Sequence, residues 1–152
     1  MSKEERMKLS AVHAFTIIEL TLVIAVIGIM AAVGMNYFPS AQIKARDTQR
    51  MSDIKNYANA LEVYYVANDG TYPSANDDLD QICTSGFQNA ECPVDPQGTS
   101  YQYYAVNGGS EYFIYSELEG VGGATKYYII CSNGLVGEIE SDPGTNSTCP
   151  LP

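Results

Sequence analysis

Hydrophobic positions divide the chain into a long apolar run, an amphipathic stretch and a series of short strand-like segments. Residues 15–35 are apolar apart from two threonines and one carboxylate, Glu19. At 1.5 Å per residue, a helix of that length reaches about 31 Å, which is enough to cross a bilayer. We therefore predict a hydrophobic helix over residues 15–35. Pro39, just beyond it, is expected to kink the helix or to end its first half.

The helical pattern resumes after this proline. Apolar side chains recur mainly at three- and four-residue spacings between residues 43 and 65, which is typical of one stripe of an amphipathic helix. Asn68-Asp69-Gly70 and the following Pro73 predict where the helix stops, so one helix from about residue 15 to 68 is expected. The charged residues between the apolar positions are predicted to form a solvated face: Lys44, Arg46, Asp47, Arg50, Asp53 and Lys55.

Four later segments are rich in aromatic and β-branched residues, namely 101–106, 111–118, 126–131 and 135–139. The glycine-containing connections between them predict an antiparallel meander of three or four strands, with the amphipathic stripe covering one face. Residues 70–100 are predicted to be a long connecting loop pinned by a small disulfide, and the tail from residue 140 to be tied back by Cys149.

The expected fold class is therefore α+β. It comprises a leader at 1–14, a hydrophobic helix at 15–35, an amphipathic helix half at 36–68 and a head at 69–152.

Charge and cysteine content narrow the chemistry. The net formal charge of −10 disfavours general binding to nucleic-acid phosphate. No two cysteines form a C-x-x-C pair and the sole histidine lies in the leader, so a zinc site is poorly supported. An even number of cysteines beyond a membrane segment indicates disulfides. Three connectivities are possible, and the sequence-local one is favoured: Cys83 with Cys92, and Cys131 with Cys149.

Glu19 is the residue of the apolar run that most needs an explanation. The segment has four possible interpretations: a simple membrane anchor, a secretory signal cut near "MAAVG", the buried helix of a soluble protein, and a leader cut after Ala14. A carboxylate at membrane depth costs several kcal/mol unless it is paired or protonated. Only cleavage after Ala14 provides a partner, because it frees a cationic amine at Phe15 that can pair with Glu19 of a neighbouring subunit.

The stretch "AFTIIELTLVIAVIGIMAAV" resembles the prepilin signature of type IV pilins and type II secretion pseudopilins. The matching features are Phe15, Thr16, Glu19, Leu20 and the apolar run to Val33. Residues 45–73, with a "G-x-Y-P" exit, are similar to the exposed half of a pilin helix, and residues 95–120 are similar to the start of a pseudopilin-like sheet. The family usually has Gly before the cut; Ala14 keeps the small size, so processing is expected.

The resemblance implies a noncatalytic structural subunit. A prepilin peptidase is expected to cut between Ala14 and Phe15, Phe15 to be N-methylated, and Glu19 to act in assembly. The subunit would begin as a single-pass membrane precursor and then join copies of itself in a helical surface filament, with an assembly platform and its ATPase as partners. Adhesion, motility and DNA uptake are the expected roles. The alternatives are a pseudopilin of a type II secretion-like system and a membrane-anchored extracellular binding module.

Other motifs add little. Secretion-type relatives hold calcium in a loop after the second strand, but here that loop offers only Glu117 and Glu119, which are expected to be solvated acids. This departure is expected to favour a pilin over a secretion pseudopilin. Asn146 begins an N-x-T sequon, which is weak evidence for glycosylation. No catalytic motif, metal cluster or cofactor-binding pattern is found, so no enzyme activity and no cofactor are predicted.

Overall fold

A computed structural model describes residues 15–74, 77–79, 82–83, 92–123, 125–144 and 148–152 of the chain. The chain divides between Pro39 and Ser40 into two compact units. Ala14, Asn146 and the predicted leader at 1–14 lie outside the described residues.

A single helix, α1, spans Ile17–Ala67, within two residues of the predicted bounds. Pro39 lies inside it and does not end it, in contrast to one of the two expected effects. Proline has no N–H and therefore removes one helix hydrogen bond, but the chain on both sides remains helical. The helix ends at the predicted stop, where the Gly70 N–H donates to the Tyr65 carbonyl at 3.0 Å with a φ of 75° at the glycine.

The second unit contains a five-stranded antiparallel sheet in the order β1-β2-β3-β4-β5. Its strands are β1 Asp77–Asp78, β2 Gln102–Val106, β3 Glu111–Leu118, β4 Lys126–Cys131 and β5 Val136–Ile139. Strands β2 to β5 are the predicted meander, so the α+β prediction is confirmed.

The short strand β1 was missed by the sequence analysis, which treated residues 70–100 as a loop throughout. It pairs with β2, placing Asp77 opposite Tyr103. Its two residues are both Asp, which is depleted in strands, and the strand is too short to show an alternating pattern. Pairing with β2 therefore outweighs the local preference.

Both faces of the sheet are covered. On one face the predicted helical stripe packs against sheet residues, and the helical members of this core are Ile54, Tyr57, Ala58 and Leu61. On the other face, Phe113, Tyr115 and Ile129 form a second core to which Cys149 and Leu151 of the C-terminal tail contribute. A disulfide joins Cys131 to Cys149 and another joins Cys83 to Cys92, which is the sequence-local arrangement. The tail is therefore part of the folded head.

Candidate functional site

The N-terminal unit begins with a capped helix end. The Glu19 backbone N–H donates to Thr16 Oγ1 at 3.3 Å, so Thr16 acts as the N-cap and Glu19 occupies the third helical position. A carboxylate in the first turn also lies near the positive end of the helix dipole. Glu19 therefore has a local structural role besides any role in assembly, and an experiment on this residue has to separate the two.

The segment that follows is apolar and uncovered. Ile17–Met35 has a mean hydropathy of 2.5, and none of it is buried among the residues that the structure describes. It is the one helical segment in the described part of the chain that is long and apolar enough to cross a membrane. Its 19 residues correspond to about 28 Å. An apolar surface this large requires lipid or protein around it.

Two of the predicted N-terminal site residues belong to this unit. Phe15 lies two residues before the helix and is 84% exposed, and Glu19 is exposed as well. Their side chains are thus accessible to other molecules at the same end of the segment. Ala14 is not among the described residues, so the proposed cleavage junction stays a prediction.

The head contains a charged cluster that the sequence analysis did not find. Arg50 is 2% exposed and sits among three carboxylates: its Nε is paired with Asp95, and its Nη1 lies 2.9 Å from Asp47 Oδ1 and 2.7 Å from Glu119 Oε1. Arg46 donates from Nε to the same Glu119 oxygen at 2.7 Å. We call these five residues, Arg46, Asp47, Arg50, Asp95 and Glu119, the Arg50 cluster.

Local chain geometry positions each carboxylate. Asp95 opens a turn in which the Gly98 N–H donates to its carbonyl at 3.0 Å, and the intervening Pro96 favours that turn. The Asp95 side chain accepts the Gln97 N–H at 2.7 Å, as aspartates at turns commonly do. Asp47 accepts the backbone N–H groups of Glu119 at 2.9 Å and of Gly120 at 3.1 Å. The cluster therefore ties helix α1 to two separate loops of the head.

The electrostatics match this geometry. Hydrogen bonds from Arg46, and then from Arg50, lower the pKa of Glu119 to about 2. Burial alone would raise the pKa of Asp95, but the hydrogen bonds from Arg50 and from the Gln97 N–H outweigh it, so that pKa is lowered. Both carboxylates are therefore charged at neutral pH, and the Arg46 and Arg50 guanidinium groups supply their counter-charges.

The cluster corrects two expectations. Arg50 and Asp53 are buried rather than solvated, and Glu119 is ion-paired, whereas Glu117 is exposed as expected. A signal for Arg50 was present in the sequence, because it lies four residues before Ile54 and so continues the buried stripe towards the N-terminus. Arginine is rarely buried unless it is paired, and its partners Asp95 and Glu119 lie far along the chain, so the local pattern alone favoured the solvated face.

Tyrosine hydroxyls make further hydrogen bonds to acidic side chains of the helix. Tyr101 donates to Asp53 Oδ2 at 2.8 Å, and burial raises the pKa of Asp53 although this hydrogen bond lowers it. Tyr72 and Tyr112 both donate to Glu62, at 3.1 and 3.2 Å to its Oε1. Burial, aided by that hydrogen bond, raises the pKa of Tyr72 to about 12. These contacts connect the helix to the sheet and to the 71–74 loop, so their role is to hold the head together.

Within the described residues, no group of three or more His, Cys, Asp or Glu side chains is arranged to hold a metal ion. The polar clusters hold α1 on the head, and the uncovered apolar helix segment is the candidate interaction surface. An apolar N-terminal helix that continues into an amphipathic half on a small antiparallel sheet defines a pilin-like subunit.

Comparison with known proteins agrees with that class. No family model matches the chain, and no solved structure was matched. Three proteins named type II secretion system core protein G are similar to it. The protein from Pseudomonas aeruginosa is 32% identical over 114 residues, covering 67% of this chain and 80% of the relative. Those from Vibrio cholerae and Pectobacterium carotovorum are 28% and 29% identical over 100 and 102 residues, 59% of this chain in each case and 68% and 65% of the relatives.

The chain therefore belongs to the pilin and pseudopilin family. The expected preference for a pilin over a secretion pseudopilin rested on the loop after β3. Since these relatives carry a secretion-system name, the pseudopilin alternative fits at least as well.

Proposed function

We propose that this protein is a noncatalytic structural subunit that assembles into a filament through the apolar segment Ile17–Met35. The observation that carries the proposal is an uncovered apolar helix with a single carboxylate, Glu19, in its first turn. In the precursor the segment lies in the membrane, and in the filament it packs against the same segment of other subunits.

In this proposal a prepilin peptidase removes residues 1–14, and the new amine at Phe15 is N-methylated. Pairing of that amine with Glu19 of an adjacent subunit offsets the cost of burying both charges and sets the axial register. An assembly platform and its ATPase are the further partners expected for such a subunit. Disulfides in the head agree with folding outside the cytoplasm.

Two roles for the filament remain in competition. The names of the three relatives favour a pseudopilin of a type II secretion-like system, while adhesion, motility or DNA uptake by a surface pilus is the original expectation. A strain lacking this gene distinguishes them. Loss of exported proteins from the medium with surface filaments retained supports secretion, and loss of surface filaments containing this subunit supports a pilus.

The assembly role is tested by Glu19→Val. Translocon scales place an acid at a helix centre at about 2.5–3.5 kcal/mol unfavourable, so the variant should insert at least as well as the wild type. It should still be cleaved after Ala14 but fail to enter filaments by itself, because breaking a buried ion pair costs about 3–5 kcal/mol and a filament repeats the loss at every subunit. Filament yield, with the N-terminus identified by intact mass, is the measurement.

Two companion variants separate charge from capping. Glu19→Gln keeps a side chain suited to the third helical position but removes the charge, so it should fail like Glu19→Val. Glu19→Asp keeps the charge with less reach and should give an intermediate yield. Normal yield from Glu19→Val with Phe15 as the N-terminus would exclude an assembly role for the carboxylate. A mature protein that starts at Met1 or near Gly34 would remove the filament proposal altogether.

A further inference from the structure

The head contains two Asn-Gly pairs in exposed turns, and the two turns differ in their hydrogen bonds. Asn107-Gly108 lies in the β2–β3 hairpin, and Asn133-Gly134 lies between β4 and β5. All four residues are exposed, so accessibility does not distinguish the pairs. Their hydrogen bonds do.

At the second pair, both reacting groups are engaged. The Gly134 N–H donates to the Cys131 carbonyl at 3.0 Å, and Asn133 Oδ1 accepts the Leu135 N–H at 3.0 Å. Attack of the Gly134 nitrogen on the Asn133 side-chain carbon requires the Gly134 N–H to lose its hydrogen bond, and the bond from Leu135 holds the Asn133 side chain in place. This turn is therefore protected.

At the first pair, the attacking nitrogen is available. The Gly108 N–H makes no hydrogen bond among the described residues, and the space around this glycine is open. The turn is closed instead by the Gly109 N–H, which donates to the Val106 carbonyl at 3.1 Å. The Asn107 side chain donates from its amide nitrogen to Glu111 Oε2 at 3.1 Å, and its backbone carbonyl accepts the Ser110 hydroxyl at 3.1 Å.

We propose that Asn107-Gly108 is a site of spontaneous covalent modification by succinimide formation. The Gly108 nitrogen attacks Cγ of Asn107, the new N–Cγ bond forms, and the Cγ–Nδ2 bond breaks. Ammonia leaves with the proton that the Gly108 nitrogen loses. Water then opens the ring at either carbonyl and yields aspartate or isoaspartate at position 107, without any oxidant or cofactor.

The modification has a defined structural consequence. It replaces an amide donor by a carboxylate directly facing Glu111, so a hydrogen bond becomes a like-charge contact. The same hairpin holds the loop after helix α1, because the Tyr72 N–H donates to the Gly109 carbonyl at 2.9 Å. Modification at Asn107 therefore loosens the attachment of that loop. Accumulation of the modified form in ageing filaments rests on the proposed function, whereas the reaction in the isolated chain does not.

The test is peptide mapping of the full-length purified protein after incubation in mildly alkaline buffer, with and without denaturant. Unfolded protein reports the intrinsic reactivity of each Asn-Gly pair. Relative to that reference, the folded protein should modify Asn107 about tenfold faster than Asn133, since the Gly134 N–H is hydrogen-bonded and the Gly108 N–H is not. Equal protection of the two sites, or faster reaction at Asn133, would overturn the proposal.

A product mimic tests the consequence. Asn107→Asp should speed hydrogen exchange at the Tyr72 amide, because the loop attachment is weakened. Asn133→Asp is the matched control, since an aspartate there still accepts the Leu135 N–H and should leave that exchange unchanged. Equal exchange in the two variants would contradict the link between the hairpin and the loop.

Discussion

The two parts of helix α1 differ in the kind of side chain that they leave in an unfavourable environment. Residues Ile17–Met35 expose apolar side chains and carry one charge, whereas the part in the second unit buries an arginine, Arg50, at 2% exposure. Exposed apolar surface and buried charge are both unfavourable unless a partner compensates them. For Arg50 the partners lie in the same chain, in the loops that hold Asp95 and Glu119. For the apolar segment, no described residue provides such cover.

This contrast separates folding from assembly. The head satisfies its polar groups internally: among the described residues, Ser116 Oγ is the one buried side-chain polar atom without a hydrogen bond. The apolar segment has no comparable internal compensation, since none of it is buried. Substitutions in the Arg50 cluster should therefore change the stability of the head, and substitutions at Glu19 should change assembly.

The largest stability effect is expected from Arg50→Ala. Removing the guanidinium leaves the buried Asp95 without its cation and takes away one of the two arginines paired with Glu119, so the free energy of unfolding should fall by about 3–5 kcal/mol. Urea unfolding of the detergent-solubilised chain, followed by tyrosine fluorescence, measures it. Arg50→Lys should recover only part of the loss, because an ammonium lacks the planar fork.

Lys55→Ala serves as the control for this experiment, since Lys55 is an exposed cation on the same helix. Its effect should stay within about 0.5 kcal/mol. If Arg50→Ala were no more damaging than this control, the buried cluster would not be a source of stability.

Removing a disulfide should have the next largest effect on the free energy of unfolding. Replacing either pair by serines should cost about 2–4 kcal/mol. The Cys131–Cys149 bridge closes 18 residues and the Cys83–Cys92 bridge 9, so loss of the former should cost about 0.6 kcal/mol more on chain entropy. Unfolding of the two double variants tests the order. Non-reducing peptide mapping tests the pairing, and four free thiols or crossed pairs would refute it.

Acid should weaken the head within a defined range. The pKa of Glu119 falls from its ordinary 4.5 to about 2 on folding, and that of Asp95 is also lowered. A lowered pKa contributes stability that is complete above pH 4.5 and is lost as the pH falls towards 2. Asp53 acts in the opposite direction, because its pKa is raised by burial.

The measurement is the melting temperature as a function of pH, compared with Glu119→Gln. The melting temperature of the variant should be lower than that of the wild type at neutral pH, and it should fall less steeply between pH 4.5 and 2. Identical acid profiles would show that Glu119 is not the titrating group.

The smallest effect concerns the cap of the apolar segment. Thr16→Ala should destabilise the first helical turn by about 1 kcal/mol, because the Glu19 N–H loses its acceptor. Amide exchange at residue 19 measures it in detergent. Thr21→Ala is the matched control, since the Thr21 hydroxyl donates to the Ile18 carbonyl within the helix and caps nothing. Filament formation by Thr16→Ala would separate capping from the role of the carboxylate.

The sequence by itself determined the features that depend on local periodicity and turn chemistry. Side-chain patterns within a few residues predict three of these features: the apolar run of 15–35, the helix end at Asn68-Asp69-Gly70 and the four long strands. The family resemblance followed from the spacing of Phe15 and Glu19 before the apolar run. Local sequence is sufficient for these elements because the residues of each one determine its preference for helix, strand or turn.

Tertiary structure decided what depends on contacts between distant residues. Strand β1 exists because β2 offers it a ladder, not because Asp77 and Asp78 favour strands. Arg50 is buried because Asp95 and Glu119, 45 and 69 residues away, supply its counter-charges. The two Asn-Gly pairs look alike in sequence and differ in their hydrogen bonds, above all in whether the glycine N–H is hydrogen-bonded. Each of these features depends on an interaction between two groups. A local sequence pattern describes one of the two groups and does not show that the other lies beside it.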